Sequence, residues 1–505
     1  NNTHDKKVQL NAGTVAISAS RNLGADPAGA YANKVYFNGG TLKATDSFTM
    51  HANNLTTLGA GNGTVEVDSG RTLTYAPVIS GSGTLTKTGA GTLIFSGANT
   101  FSGALTVSAG TAQVGAGGTS GVVGANIVNN ATLVWNRSDS LTYSGVISGT
   151  GAMTKNGAGT LTLSGTSTMS GATTVSAGTL LVSGSLANSA VTVSSGATLM
   201  GAGRVGALTV GGTVDPGNSA NAVGKLECGA LTLNAGGALR VDMANVSGTA
   251  GTHWDLLAGG AITANASGTF TINVAGNPTG WNATAGYSWT IISGSSVSSF
   301  SAGRFTVNTA SFTPGLDGGS FSVENVGNNI VLVFTPRKPA VPQAFSASKA
   351  GADSVTLTFT RNAQSDDVII VYDLDGTFSD PGGTAPAVGQ SFAGGTVVYK
   401  GGTSPQTHAS LAACTKYYYK AWSYKGTNYS ATGLTGDATT DPPAAPATIW
   451  ASATNETDFT ASWAAASGAT GYRLDVSLYE DFQTAGGDTD LISKETMGTT
   501  GTAGS

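Results

Sequence analysis

Few residues in this 505-residue chain have the types and spacing that chemistry needs. The four histidines, His4, His51, His253 and His408, stand far apart, with no partner at triad or metal-ligand spacing. His4 adjoins Asp5, but no Gly-x-Ser-x-Gly elbow accompanies the pair. The Gly-Ala-Gly stretches lack the following Lys-Ser/Thr and helix of a phosphate cradle. Hydrolysis of a polysaccharide needs paired carboxylates on neighbouring strands. Between positions 80 and 200 the single acidic residue is Asp139, so that stretch cannot host such a pair. The densest acidic group is Asp366, Asp367, Asp373, Asp375 and Asp380. Within it Asp373-Leu374-Asp375-Gly376 echoes a calcium loop, but its glycine arrives two positions early and the segment reads as a turn. Cys228 and Cys414 are too few for a disulfide framework or a zinc cluster; they read as two isolated buried thiols, with a disulfide between them, across domains or subunits, as the sharper alternative. No catalytic residue, cofactor or metal is expected.

The elements that would have to position any site are repetitive. Gly81 to Val114 reads GSGTLTKTGAGTLIFSGANTFSGALTVSAGTAQV and returns 68 residues later, Gly149 to Val182, as GTGAMTKNGAGTLTLSGTSTMSGATTVSAGTLLV. A fixed period with turn residues between short apolar runs marks a repeat architecture. Each copy holds four short segments of two-residue alternation, in the first copy Thr84-LTK, Thr92-LIF, Ala104-LTV and Thr111-AQV. Glycine-bearing corners separate them. No pair of such strands can bury its apolar face alone, whereas rungs stacked on one another can. The expected fold is all-β, a parallel β-helix (β-solenoid).

The copy starting at Gly81 resembles the passenger-associated repeat of bacterial autotransporters and related surface proteins. The resemblance rests on Gly81, Gly83, Leu85, Lys87, Gly89, Gly91, Thr92, Leu93, Gly97, Asn99, Gly103, Val107, Gly110 and Thr111. It departs at Phe101, often Tyr in the family, and at Ala112, usually Leu; the second copy departs at Ser167 and Met169. The resemblance implies a right-handed β-helix exported from a bacterium. The Val214-Asp-Pro-Gly-Asn-Ser segment resembles a Pro-Gly-Asn-Ser-Pro-Gly signature that follows the repeats in the same family, with Ala220 in place of the second proline. It is expected to be a corner that ends one face, not a binding loop.

Composition fits. The chain has 74 glycines, 10% charged residues and a formal net charge of −5, which argues against nucleic acid as a partner. No apolar run is long enough for a membrane helix, so no membrane insertion is expected. With no initiator Met and no signal segment, the sequence reads as a mature exported form, extracellular or on the bacterial cell surface.

In chain order, residues 1–70 read as a degenerate start of the solenoid, 71–250 as its repeat-bearing part, and 251–336 as a cap region. Residues 1–20 could instead form a mobile arm that pairs with another subunit through Val8, Leu10, Val15 and Ile17. In the cap region, Trp281 and Trp289 are expected to cover the last rung; a sugar-binding platform is the sharper alternative. Pro336 to Pro342 holds three prolines and marks a stiff boundary. Beyond it, 339–440 resembles a fibronectin type III-like sandwich, with Leu411, Thr415 and Tyr417 at tyrosine-corner spacing. After the linker Asp441-PPAAP, residues 444–505 resemble a second, incomplete module. Two strands are expected there, with Trp463 and Tyr472 in its core; the later strands are expected either to be cut away or to be supplied by a neighbouring subunit. The function expected is that of a non-enzymatic extracellular structural protein, a self-associating subunit of a surface filament or matrix whose partners are copies of itself. The alternative is an adhesin stalk that binds glycan or another host or cell-surface ligand. A polysaccharide-degrading β-helix enzyme is the remote third.

Overall fold

The computed structural model describes residues 7–24, 34–264, 268–453, 459–464, 466, 472–477 and 491–497. Their regular structure is β-strand, apart from two 3-10 turns, Ser20–Leu23 and Ala302–Arg304. Two compact units divide the chain, one of residues 1–316 and 320–335, the other of 317–319 and 336–505.

In the first unit, most turns of chain lay one short strand on each of three sheets. A representative turn runs Ile79–Gly81, Leu85–Thr88 and Thr92–Phe95, on sheets of four, seven and twelve strands. Later turns run through the twelve-stranded sheet, an eight-stranded sheet and a second seven-stranded one. Pairing is parallel throughout the stack; Leu85 lies against Gly63 on one side and Leu105 on the other. Alternation decides which side chains turn inward. In Thr92–Phe95, Leu93 and Phe95 are fully buried while Thr92 and Ile94 are partly exposed. The inward set forms one apolar cluster from Leu10 to Phe334. Burial in such a stack comes from neighbouring turns, which explains why no turn has a core of its own.

The two repeat copies do not stack in phase. Three turns carry Leu85 through Leu105 and Ile127 to Ile147 on the same sheet, 62 residues on. The repeat advances 68, which takes the chain round one further corner. Met153, the counterpart of Leu85, therefore pairs with Leu133 and Thr173 on the twelve-stranded sheet. Thr92–Phe95 is on the twelve-stranded sheet, its counterpart Thr160–Leu163 on the eight-stranded one.

The stack ends in antiparallel pairing. Tyr287–Ser293 pairs with Asn329–Thr335, which pairs with Ser320–Val326. Trp289 is 1% exposed and its indole N–H donates to the Val246 carbonyl at 2.8 Å. Trp281 donates to the Gly315 carbonyl and packs its ring against Phe312 and Phe334. Both indoles are thus engaged with the end of the stack, Trp289 wholly and Trp281 in part, as a cap requires.

The second unit holds a sandwich of antiparallel strands. Ala344–Lys349, Val355–Thr360 and Gln406–His408 form one sheet. Asp367–Asp373 lies between Gly395–Gly401 and Lys416–Lys425 in the other, and Leu434–Thr439 pairs with Lys416–Lys425. Val355, Leu357 and Phe359 share a core with Val368, Ile370, Tyr417 and Tyr419. The Ala412 N–H donates to the Tyr417 phenol oxygen at 2.9 Å, so this tyrosine ties its strand to the preceding loop. Farther on, Ile449–Ala453 pairs with Phe459–Trp463, and Tyr472–Ser477 with Leu491–Met497. Among the described residues, four strands rather than the expected two thus follow the second linker. Leu491–Met497 escapes a reading of the sequence because its alternation, LISKETM, is mostly polar.

Candidate functional site

The residues singled out for assembly are placed differently from expectation. Val8–Leu10 pairs in parallel with Val35–Phe37, and Thr14–Ile17 with Thr41–Ala44. Leu10 and Ile17 are 1% and 2% exposed in the solenoid core, Val8 is half-buried, and Val15 lies on the outside at 37% exposure. Residues 8–17 are therefore the first turn of the solenoid and not a mobile arm: two inward apolar side chains are held better by the next turn than by water. The start of the expected arm, His4 included, lies outside the described residues. Trp463 is buried and meets the Tyr472 ring edge-on at 5.4 Å, while the Tyr472 phenol accepts the Ala466 N–H. These two rings contact each other within the chain.

The two cysteines are free thiols, so no disulfide joins them within this chain. Cys228 is buried, and burial pushes its thiol up to about 12, away from the reactive thiolate. Cys414 is exposed. The three described histidines are far from forming a site. His51 and His253 accept backbone N–H bonds from Asn53 and Thr249, and His408 meets the Tyr419 hydroxyl at 3.0 Å. Burial lowers His408 from the usual imidazole range. In the acidic segment, Asp373 accepts the N–H groups of Asp375 and Gly376, and Asp375 that of Thr377. That is a turn closed on its own carboxylates.

The constellation that reading the sequence missed lies just after the second repeat. Asp215, Asp242 and Asp255 each place a carboxylate oxygen within 4.8 Å of the others, and all three are buried. Asp215 is the third residue of the strand Thr213–Pro216, whose Thr213 and Val214 pair with Ala238 and Leu239 of Ala238–Asn245. Leu239 and Val241 point into the core, so Arg240 and Asp242 face outward by alternation. Asp242 is nevertheless only 2% exposed, and Asp215 6%.

Part of their cover is the 217–224 turn. Gly217 has φ 145°, and a Cβ there would sit 2.1 Å from the Ala222 carbonyl oxygen, so this close turn needs glycine. Asn221, also at positive φ, accepts a hydrogen bond from Arg240. Arg240 also grips Asp242 with two bonds, Nε to Oδ2 at 2.9 Å and Nη2 to Oδ1 at 2.8 Å. Asp255 holds the turn and the strand together: Oδ1 accepts the Gly224 N–H at 2.7 Å and Oδ2 the Asp242 N–H at 2.8 Å.

Asp215 is less well served. Arg240 Nε is 3.9 Å from its Oδ2, and its buried Oδ1 has no hydrogen-bond partner. Burial, then the neighbouring Asp242 charge, raises Asp215 to about 6. Burial likewise raises Asp255 to about 8, against the two backbone donors that favour its charged form. Beside this cluster, Gly224 lines an open groove of about 540 Å³ with Arg204, Lys225 and Glu227. Carboxylates this deeply covered are suited to holding something in the fold, not to meeting a polymer from solvent. The available signal was the rare acids that follow the repeats. Their 27- and 13-residue separations hide the convergence.

Comparison with known proteins adds the following. The passenger-associated-transport-repeat family matches residues 85–114 and 153–182. No curated protein matches. Among solved structures, one described as FN3tt mut is 16% identical, with 21% of this chain and 99% of that one covered and a TM-score of 0.17. The chicken CNTN1 FN1–FN3 domains are 12% identical over 35% of this chain and 60% of that one, at 0.15. Chitinase ChiW from a Paenibacillus species, described as a cell-surface-expressed multi-modular enzyme, is 12% identical over 80% of this chain and 24% of that one, at 0.14. Among the described residues no helix is long and apolar enough to cross a membrane. The chain is an all-β protein that carries two passenger-associated transport repeats in a stack of parallel strands.

Proposed function

We propose that this chain is an exported, non-enzymatic structural protein of the bacterial cell surface, a right-handed β-solenoid stalk bearing fibronectin-like modules. The observation that carries the reading is the single core from Leu10 to Phe334, closed at its far end by buried indole and phenyl rings. Such a stack resists bending, because every turn is hydrogen-bonded to its neighbours along the axis. Its passenger-type repeats favour an exposed position outside the cell, in the manner of an adhesin stalk, with glycans or other surface ligands engaged by the parts it carries. A catalytic reading has little to stand on, since the converging carboxylates are buried.

A second reading, self-association into a filament or matrix, is favoured by one feature. Val8–Leu10 and Thr14–Ile17 are the end strands of their sheets among the described residues, and an end strand offers backbone groups to another copy. Negative-stain imaging with sedimentation velocity separates the readings. Uniform single particles at all concentrations would establish the stalk and remove the filament. Regular fibres that dissociate when Val15 is replaced by Lys would establish assembly through the first turn. Turnover of a polysaccharide panel by the purified chain would overturn both.

A further inference from the structure

We propose that Asp215, Asp242 and Asp255 bind a single hard divalent cation of the calcium class, which fastens the 217–224 turn to the strand Ala238–Asn245. The span is right for one shared ion. Calcium takes oxygen ligands at about 2.3–2.6 Å, so oxygens on opposite sides of it lie up to about 5 Å apart. The three carboxylates place theirs within 4.8 Å of one another. The donors are all oxygen, the set that selects hard cations over zinc or copper.

Charge points the same way. With all three carboxylates ionised, as ligation of a cation requires, the one guanidinium of Arg240 leaves a formal surplus of two negative charges in a buried site. A surplus of that kind is costly unless it is neutralised. The hydrogen bonds present leave room for an ion. Each oxygen of Asp242 and Asp255 accepts from one donor, and a carboxylate oxygen has a second lone pair. Asp215 Oδ1 has no donor at all, although it is buried and belongs to a side chain 6% exposed. A buried acceptor without a donor is rare in a folded protein and calls for a partner.

The position explains what the ion would do. Asp215 sits at the start of the turn, Asp255 bonds the backbone at its end, and Asp242 lies on the adjoining strand. An ion here closes a segment of chain that has little apolar contact of its own. The acidic turn at Asp373 and Asp375 is the competing site, and there the carboxylates are occupied by the N–H groups of their own turn.

The test uses the whole chain, stripped with chelator and titrated with calcium chloride alone from about 10 µM to about 10 mM, the range of extracellular calcium modules and below. Calorimetry is expected to give one ion per chain, and the melting temperature should rise with calcium concentration. Asp215→Asn is expected to lose both responses. The double variant Asp373→Asn, Asp375→Asn should keep both. Should Asp215→Asn fail to fold, terbium luminescence on the stripped wild-type chain, sensitised and displaced by calcium, gives the stoichiometry independently. The proposal is overturned if the stripped chain binds no calcium over that range, or if binding survives Asp215→Asn and is lost with the Asp373 and Asp375 pair.

Discussion

Leu85 and Met153 occupy the same position of the repeat, yet they lie on different sheets of the same solenoid. Each is fully buried, one against Leu105 and the other against Thr173. A repeat that works on either sheet must carry its structural devices with it and cannot rely on one special face. Three such devices are visible, and they are the glycines at close approaches, the buried lysine, and the residue after the second strand. In the last case Asn99 Oδ1 accepts the Ile79 N–H at 2.9 Å, and in the second copy Ser167 accepts that of Ile147 at 3.1 Å. The shorter side chain keeps the same bond.

The glycines fix how closely consecutive turns approach. A Cβ on Gly103 would lie 2.2 Å from the Gly83 carbonyl oxygen, and one on its counterpart Gly171 lies 2.0 Å from that of Gly151. Backbone cannot retreat from a methyl there without parting the turns. Gly103→Ala and Gly171→Ala should each destabilise the solenoid by about 1–3 kcal/mol, the usual cost of overpacking. Gly118→Ala, with open space around it, should cost far less. Guanidinium unfolding followed by circular dichroism measures the difference; equal losses at all three positions would refute the close-approach argument.

The lysine is the second device. Lys87 is 0% exposed, and its ammonium donates to the carbonyls of Thr88, Gly89 and, on the next turn, Ala109 at 2.7, 2.8 and 3.1 Å. Lys155 does the same for Gly157 and Ala177. It caps the corner and clips it to the next turn. Lys87→Met fills the volume but leaves these carbonyls without their donor, which should cost about 1–3 kcal/mol in denaturant unfolding. Unchanged stability in Lys87→Met would mean that the chain stem alone does the packing.

The same lysines set a pH dependence. Burial lowers both amines to about 8, from 10.5. Between those values the unfolded chain binds more protons than the folded one, so their contribution to stability rises as pH rises through the window. The slope is bounded at about 1.4 kcal/mol per pH unit for each lysine. Buried tyrosines such as Tyr75 and Tyr143, raised by burial, oppose it only above pH 10, where unfolded phenols ionise. Unfolding midpoints of the wild type and of Lys87→Met/Lys155→Met at pH 8.0 and 9.5 should therefore converge or diverge with a measurable difference in slope, the wild type gaining more. Parallel slopes would show that the carbonyls hold both amines fully charged.

How far the sequence announced all this depends on what each feature needs. Thr92–Phe95 and Thr111–Val114 were legible to the residue because alternation and a following glycine corner are local signals. The phase shift between copies was hidden, since it depends on corner lengths summed over three turns. Val8 to Ile17 misled because an alternating strand at a chain terminus looks the same whether its partner is the next turn or another molecule. The Asp215 cluster needs strands and a tight turn to be in place before its acids meet, and no spacing rule reaches across them.

In the second unit, Tyr417 tests the sandwich. Its ring is 6% exposed beside Tyr372, and its phenol oxygen accepts the Ala412 N–H. Tyr417→Phe keeps the ring and leaves that amide without its acceptor, which should cost about 1–2 kcal/mol. Tyr418→Phe, on the other side of the same strand and half-buried, should cost less than about 0.5 kcal/mol. Thermal unfolding of the second unit, followed by tyrosine fluorescence, distinguishes the two; a larger loss at Tyr418 would mean that the strand is turned over.

Trp289 separates capping from sugar binding at the solenoid's far end. The residue is 1% exposed, its N–H is taken by the Val246 carbonyl, and its ring stacks with Tyr287 at 5.3 Å. An aromatic face that binds sugar must be open to it, and this one is covered. Trp289→Ala opens a cavity at the last turn and should cost about 3–5 kcal/mol. Loss of the cap also exposes the turn beneath, so limited proteolysis should cut first near the strand Leu256–Ala258, which pairs with Tyr287–Ser293. Glycan-array binding should be the same for the wild type and for Trp289→Phe, which keeps the ring class and the fold. A selective loss of glycan binding in Trp289→Phe, with stability unchanged, would reassign this end of the stack from cap to recognition surface.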